Sequence, residues 1–484
     1  MIRTKMLPMK TLLSLVLISP ALLFSPGSFS QNLFSKTYGG AGDDIFHAGA
    51  LTADSGYILT GLGKSYGDTS GNAFIIKTDR NGNMQFVKNY GGSKLDGGNA
   101  LQQTNDGGYI IAGHTQSYSN DCDGLVIKLD ANGDSLWGRI FGNPDDDALS
   151  AVEQTTDGGF IFAGYSENYS ARVIDVYLIK TDQYGSIQWQ KFIGGDSVQV
   201  ATAIRQTGDG GFIIAGRTRR SGNDDVFLLR TDANGDSLWS NSFGGSNDDK
   251  AYGVQITTDG GFIIAGTTLS YGAGSVDYYL LKTDANGNLQ WQRTFGGSNA
   301  DGASDVKQTQ DGGFIITGTA KSFGDTLNDI YLVKTDASGN YQWGKKIGGN
   351  GDDASVSVLL PPGGGYAVAG YTACFGNGGY DGILVRTDSA GNNVTGVGEV
   401  NDLSENVKLF PNPSNDLIQI SAGSMGEAQL NITDVSGKKI RTFQTDLSQY
   451  KSCTIELYGL DPGIYFLSGE GATGRFVKKF IVIE

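Results

Sequence analysis

An all-β chain is what this sequence predicts: seven four-stranded sheets closed into a ring, followed by one small sandwich. Three observations predict it. A module of about fifty residues recurs seven times, and a repeat at such a period is one supersecondary unit copied along or around an axis. Each module reads as four short runs of β-branched and aromatic residues separated by Asp, Asn and Gly. The last module lacks its fourth run, and a matching run stands instead at the start of the chain.

The core of the module is Asp-Gly-Gly-Phe-Ile-Ile-Ala-Gly, at Asp209–Gly216 and Asp259–Gly266. The second Gly of its Gly-Gly pair falls at Gly108, Gly159, Gly211, Gly261 and Gly313, with degenerate copies at Gly56 and Gly365, in steps of 50–52 residues. In the sixth module the four runs are Asp301–Thr309, Gly313–Gly318, Asp329–Thr335 and Tyr341–Ile347. Asp-Gly-Gly and Asp-Ala-Asn-Gly are tight turns, because Gly and Asn tolerate positive φ, so successive runs pair antiparallel. The second and third runs, such as Val226–Leu229, are continuously apolar. Such strands are buried on both faces, so every sheet packs between two others. Four-stranded antiparallel sheets packed radially are the blades of a β-propeller. The fourth runs carry an aromatic at Phe86, Trp137, Trp189, Trp239, Trp291 and Trp343, which reads as core. Phe34 lies five residues before Gly39, as Trp137 lies five before Gly142. Residues 33–38 are therefore expected to close the seventh blade beside the segment ending near Thr387 and remove an exposed edge.

The order Trp, Gly-Gly, Asp, Gly-Phe-Ile-Ile-Ala-Gly, Asp-x-Tyr-Leu-x-Lys resembles the seven-bladed propeller repeats of many secreted bacterial proteins, over roughly residues 32–391. The resemblance implies a fold and no single activity.

Gly is 74 of 484 residues, as a turn-rich β chain requires, and the formal net charge is −15. The acidity lies in the repeat region, which argues against nucleic acid and anionic membranes as partners. Residues 1–30 read as a signal peptide: Arg3, Lys5 and Lys10, an apolar stretch interrupted by Pro20 and bounded by Pro26, and small Ser28 and Ser30 before Gln31. No other stretch is apolar enough to span a bilayer. The cysteines, Cys122, Cys374 and Cys453, are odd in number and provide no disulfide framework. His47 and His114, the two histidines, read as ordinary side chains. No nucleophile, zinc or phosphate-loop motif is present. A binding or adhesion scaffold is thus the expected function, with a polysaccharide-acting hydrolase or lyase using dispersed carboxylates at the propeller mouth as the alternative.

The propeller is assigned to residues 31–391, a linker to 392–405 and a C-terminal domain to 406–484, where the repeat stops. Short alternating runs with turns every eight to twelve residues predict a small immunoglobulin-like β-sandwich. Pro411-Asn412-Pro413, Asp434 with Gly437, Gly463 with Tyr465, and Lys478-Lys479 occur in that order. They resemble the C-terminal sorting domain of the type IX secretion system of Bacteroidota. The resemblance implies engagement of that machinery, transport across the outer membrane, and a secreted or cell-surface protein.

Two sets of propeller residues are candidates for a site. Asp44, Asp96, Asp147, Asp249, Asp301 and Asp353 open the innermost run and are expected to ring one channel mouth. They read as turn caps, or as ligands for Ca2+. Blade four has Gln199 there, a shortened loop, and Arg217, Arg219 and Arg220 together on an acidic protein. That patch reads as a contact for an anionic ligand or surface glycan. No other cofactor is implied.

Overall fold

The computed structural model describes residues 33–483 apart from 67–69, 119–120, 196, 220–221, 324–326, 377, 394–406, 422–425, 435–437, 448–451 and 472–473. The signal-peptide segment, most of the linker, Arg220 and Gly437 therefore lie outside the described residues. No helix occurs among those described, so no helix is long and apolar enough to cross a membrane.

Blade one is Asp44–Leu51, Tyr57–Gly63, Asn72–Thr78 and Met84–Tyr90, paired in that order from the axis outwards. Five further blades repeat the antiparallel meander, and blades three and four touch through one parallel pair, Ile174 with Val198. The seventh sheet holds Asp353–Leu359, Tyr366–Thr372 and Asp381–Thr387, and its outer strand is Phe34–Tyr38. That strand runs antiparallel to the third, with Phe34 opposite Arg386 and Tyr38 opposite Gly382. The fold is thus a seven-bladed propeller whose last blade is completed by the strand from the chain's start. Phe34 and Tyr38 are both buried. The Tyr38 hydroxyl donates to the Gly82 carbonyl of blade one at 2.7 Å, so the closing strand also ties blade seven to blade one.

Each seam between neighbouring blades has its own apolar cluster. Ile263, Ala265, Tyr278 and Leu280 of blade five meet Val306, Phe314, Ile316 and Val333 of blade six, all buried. The tryptophans sit at the outer end of these seams. They are half-buried against the clusters rather than inside them, which corrects the core placement expected from the sequence. Trp239 lies 6.3 Å from Phe262 of the next blade and Trp291 5.9 Å from Phe314. Each ring also lies beneath a turn glycine, Gly185, Gly235, Gly287, Gly339 or Gly391: a Cβ at Gly287 would fall 2.5 Å from the Trp239 ring, and Gly287 has a φ of +80°, which Gly adopts freely.

The repeated Lys or Arg of the third strand points down a blade to the turn between the first two strands. Lys282 is buried and its ammonium lies 2.9 Å from Asp259 of the Asp-Gly-Gly turn. Lys77, Lys128, Lys180, Arg230 and Lys334 pair in the same way with Asp54, Asp106, Asp157, Asp209 and Asp311. Burial opposes the charge on these turn carboxyls, but bonds from the Lys, the turn Thr and the Gly N–H win, and Asp54, Asp259 and Asp311 are held down at about 2. Blade seven has no Asp in this turn, and Arg386 donates to the Gly364 and Tyr366 carbonyls instead.

The C-terminal residues form two sheets. One is Lys408–Phe410, Leu417–Ser421 and Ser452–Glu456; the other is Lys439–Leu447, Gly426–Asp434, Gly463–Gly471 and Gly474–Val482. Ile418, Ile420 and Ile455 of the first pack against Leu430, Ile432, Leu467 and Phe480 of the second, which makes a sandwich.

Candidate functional site

The innermost strands of all seven blades face a common channel, and each contains the same irregularity. Pairing between first and second strands skips one residue in every blade: between Phe46 and Ala48, Gly98 and Ala100, Leu149 and Ala151, Ala201 and Ala203, Ala251 and Gly253, Ala303 and Asp305, and Ser355 and Ser357. A β-bulge of this kind re-aims one side chain out of the ladder. The seven skipped residues are His47, Asn99, Ser150, Thr202, Tyr252, Ser304 and Val356. Six line a channel cavity of about 490 Å³ that draws residues from all seven inner strands. His47, Thr202, Tyr252, Ser304 and Val356 also line an adjoining space of about 420 Å³.

This ring is polar and uneven. Asn99 donates to the Leu149 carbonyl at 2.9 Å and Thr202 to the Ala251 carbonyl at 2.9 Å, each reaching the next inner strand. Tyr252 is 43 % exposed. His47 Nδ1 lies 3.2 Å from the Gly98 carbonyl, and the Asn99 amide lies 3.4 Å from His114 Nδ1. The two histidines of the chain thus meet at one place, around Asn99. Burial first, and then the proximity of His114, hold His47 below the usual histidine range; burial does the same to His114 against the pull of Asp96. One to three residues further along the inner strands, the channel carries four charges, Glu153, Arg205, Asp305 and Lys307. Asp305 and Lys307 pair at 2.7 Å. Burial raises the Glu153 carboxyl against the opposing pull of Arg205, and its Oε2 accepts from the Gln206 N–H at 3.2 Å. Both channel carboxylates are therefore already engaged by cations or backbone.

The six repeated aspartates are placed differently from the mouth ring expected of them. All are fully buried, with exposure no greater than 1 %. Each carboxylate turns into its own blade and accepts the N–H four residues back: Gly40 for Asp44, Gly92 for Asp96, Asn143 for Asp147, Gly245 for Asp249, Gly297 for Asp301 and Gly349 for Asp353. Ser117, Ser270 and Ser322 donate to it as well, and in blade seven the Cys374 thiol stands in their place, 2.9 Å from Asp353. Burial and then this carboxylate push the Cys374 thiol up to about 11. The aspartates stay one to a blade. Among the described residues, no three His, Cys, Asp or Glu side chains are grouped to hold a metal ion.

In blade four, Gln199 is buried. Arg217 and Arg219 do not project as a cationic patch. Both guanidiniums close on the buried carboxylate of Asp224, at 2.7 and 2.8 Å, and Lys250 of blade five joins at 3.3 Å. Burial would raise the Asp224 carboxyl, but the two arginines outweigh it and hold it below the usual range. The signal for this in the residues is Asp224 itself, an acid standing where the other blades have Gly71, Cys122, Ile174, Val276, Asn328 and Tyr380. The channel ring went unseen because reasoning from the repeat favours positions that recur. Its signal is the opposite one: a column that changes from copy to copy between columns that do not.

In the C-terminal sandwich the motif residues pin the last strand. Asn412 Oδ1 accepts the Ile481 N–H at 2.9 Å and its amide donates to the Lys479 carbonyl at 3.1 Å. Asp434 accepts the Lys438 N–H at 3.1 Å across a hairpin. Tyr465 stacks on Phe480 at 5.7 Å. Pro411 and Pro413 flank Asn412, Gly463 opens the strand that carries Tyr465, and Lys478 and Lys479 lie on the last strand.

No curated protein matches the chain in sequence. Solved structures similar to it include the Neurospora crassa Pan2 WD40 domain, at 11% identity and TM-score 0.47, covering 76% of this chain and 99% of that one. Sqt1 from Chaetomium thermophilum is similar at 12% identity and TM-score 0.42, covering 93% and 100%. YCF48 bound to D1 peptide is similar at 10% identity and TM-score 0.45, covering 74% and 95%. The family described as the secretion system C-terminal sorting domain matches residues 408–483. The repeat region is a β-propeller by its own strand pairing, and residues 408–483 match a secretion system sorting domain, which indicates export to the cell surface or beyond.

Proposed function

We propose that the exported propeller is a binding scaffold whose ligand enters the channel and is read by the bulge residues. The observation that carries this reading is the contrast within each inner strand. The opening residue is Asp in six blades, while three positions later the ring reads His, Asn, Ser, Thr, Tyr, Ser, Val. Hydroxyls, an amide, an imidazole and one exposed phenol ring suit a neutral, hydroxyl-rich ligand, the end of a glycan, better than an ion. Residues 1–30 would direct the first export step before cleavage at Gln31, and the sorting domain the second, in a Bacteroidota-type cell. The engagement of Glu153 and Asp305 speaks against the hydrolase alternative, which needs an acid pair free to act.

A glycan array probed with the mature chain and with its Tyr252→Ala and Asn99→Ala variants tests the reading. Binding to a neutral glycan that falls at least tenfold in either variant is expected. An array without hits, or hits indifferent to both changes, overturns it.

A further inference from the structure

Five of the seven blade seams are filled at one place by an aromatic of the third strand, a sixth by an Ile with a loop Phe beside it, and the seam between blades one and two by neither. On each third strand the residue two after Asn72, Asp123, Asp175, Asp225, Asp277, Asp329 or Asp381 faces a seam, and in five blades it is aromatic: Phe74, Tyr177, Phe227, Tyr279 and Tyr331, all buried. A loop aromatic lies against it in several, with Tyr66 5.7 Å from Phe74, Tyr271 5.7 Å from Tyr279 and Phe323 4.5 Å from Tyr331. Blade seven has Ile383 there, and Phe375 packs against the same cluster.

Blade two keeps the loop aromatic and loses the ring beneath it. Tyr118 is anchored like Tyr271: its hydroxyl donates to the Gly91 carbonyl at 2.9 Å, as that of Tyr271 donates to Gly244 at 2.7 Å. Under it stands Leu125. On the outer strand, Gly138 occupies the position from which Gln190 and Gln292 receive the hydroxyls of Tyr177 and Tyr279, at 3.1 and 2.9 Å. A Cβ on Gly138 would meet nothing nearer than the Val126 carbonyl at 3.8 Å. Two truncations at one place leave a cavity of about 560 Å³, lined by Tyr90, Tyr118, Leu125, Ile127, Arg139 and Ile140. Leu125 and Ile127 keep 5 % and 6 % exposure where Tyr279 and Leu281 have 1 % and 0 %. Arg139 lines the cavity through its place on the outer strand, while its side chain turns to the next seam, over the Trp137 ring at 5.3 Å and donating to the Tyr184 carbonyl of blade three at 2.9 Å.

We propose that this seam is a binding site for an aromatic ring, a phenyl or phenol group. The protein itself shows the occupant, because in five other blades a Phe or Tyr of its own fills the equivalent space. A ring seated there regains the aromatic contact that Tyr118 lacks and covers the exposed edges of Leu125 and Ile127. The proposal does not rest on the channel reading.

The test is titration of the full mature chain with p-cresol and with the tripeptide Gly-Tyr-Gly, read by calorimetry and ligand-observed NMR. Binding of p-cresol alone points to a free aryl compound, and binding of the peptide alone or of both points to a side chain of a partner; each outcome supports the site. The double variant Leu125→Tyr with Gly138→Gln, which installs the pair that blade three carries at these positions, is expected to lower affinity at least tenfold and to raise Tm. Tyr118→Ala, a change at an exposed residue, is expected to lower affinity at least fivefold without lowering Tm. The proposal is overturned if neither probe binds the wild-type chain, or if binding is unchanged in both variants.

Discussion

Two positions on the same inner strand, three residues apart, behave in opposite ways. The opening aspartate is copied in six blades, is buried in all six, and ends in hydrogen bonds to its own turn. The bulge residue changes from blade to blade and faces the channel. A residue that every copy needs in order to fold cannot vary without losing that copy. A residue that varies among the blades without loss of the bulge is free to be chosen for what passes through the ring. Repetition in this molecule therefore marks scaffold, and departure from repetition marks surface available for recognition.

The largest test of the scaffold half is removal of residues 33–38. Loss of Phe34, Tyr38 and five strand pairings should cost more than about 5 kcal/mol, since burying each large aromatic is worth about 3 kcal/mol or more. Calorimetric unfolding would then show a collapse of the whole propeller transition; a transition unmoved by the deletion would mean the ring does not depend on closure. Trp239→Ala comes next. A half-buried ring at a seam should cost about 3 kcal/mol, at the low end for such truncations, measured by denaturant unfolding. Asp259→Ala strands the buried Lys282 ammonium and should cost about 2 kcal/mol, as for hydrogen bonds to charged groups.

Acid should act on the same pairs. Asp54, Asp259 and Asp311 have folded pKa values of about 2, below the unfolded value of about 4. Their stabilisation is complete above about pH 4 and is lost as pH falls towards 2, because protonation then favours the unfolded chain. Tm measured from pH 6 to 2 should fall steeply only in the lower half of that range, and less steeply in a variant lacking Asp259. The smallest effect on stability belongs to the channel. Asn99→Ala and Tyr252→Ala should shift it by under about 1 kcal/mol, as for partly exposed sites outside the core, while removing ligand binding.

Much of the fold was legible in the residues. The period, the turn glycines and the displaced fourth run lead to seven blades and to the strand that closes them, because local turn chemistry and burial patterns repeat without interference. The candidate site was less legible. Arg217 and Arg219 look like a cationic patch until the fold brings the buried Asp224 between them. The histidines at 47 and 114 belong to different blades, and only the seam between those blades brings them to Asn99. The missing ring at Leu125 is invisible in isolation, since Leu is an ordinary core residue; it stands out only against the five aromatics that share its place.

The most direct measurement is a crystal structure of the mature propeller with its best array ligand. The account predicts density in the channel, within hydrogen-bonding distance of Asn99, Tyr252 or Ser304. Density at the outer strands or on the blade-four loop, with the channel empty of ligand, would contradict it.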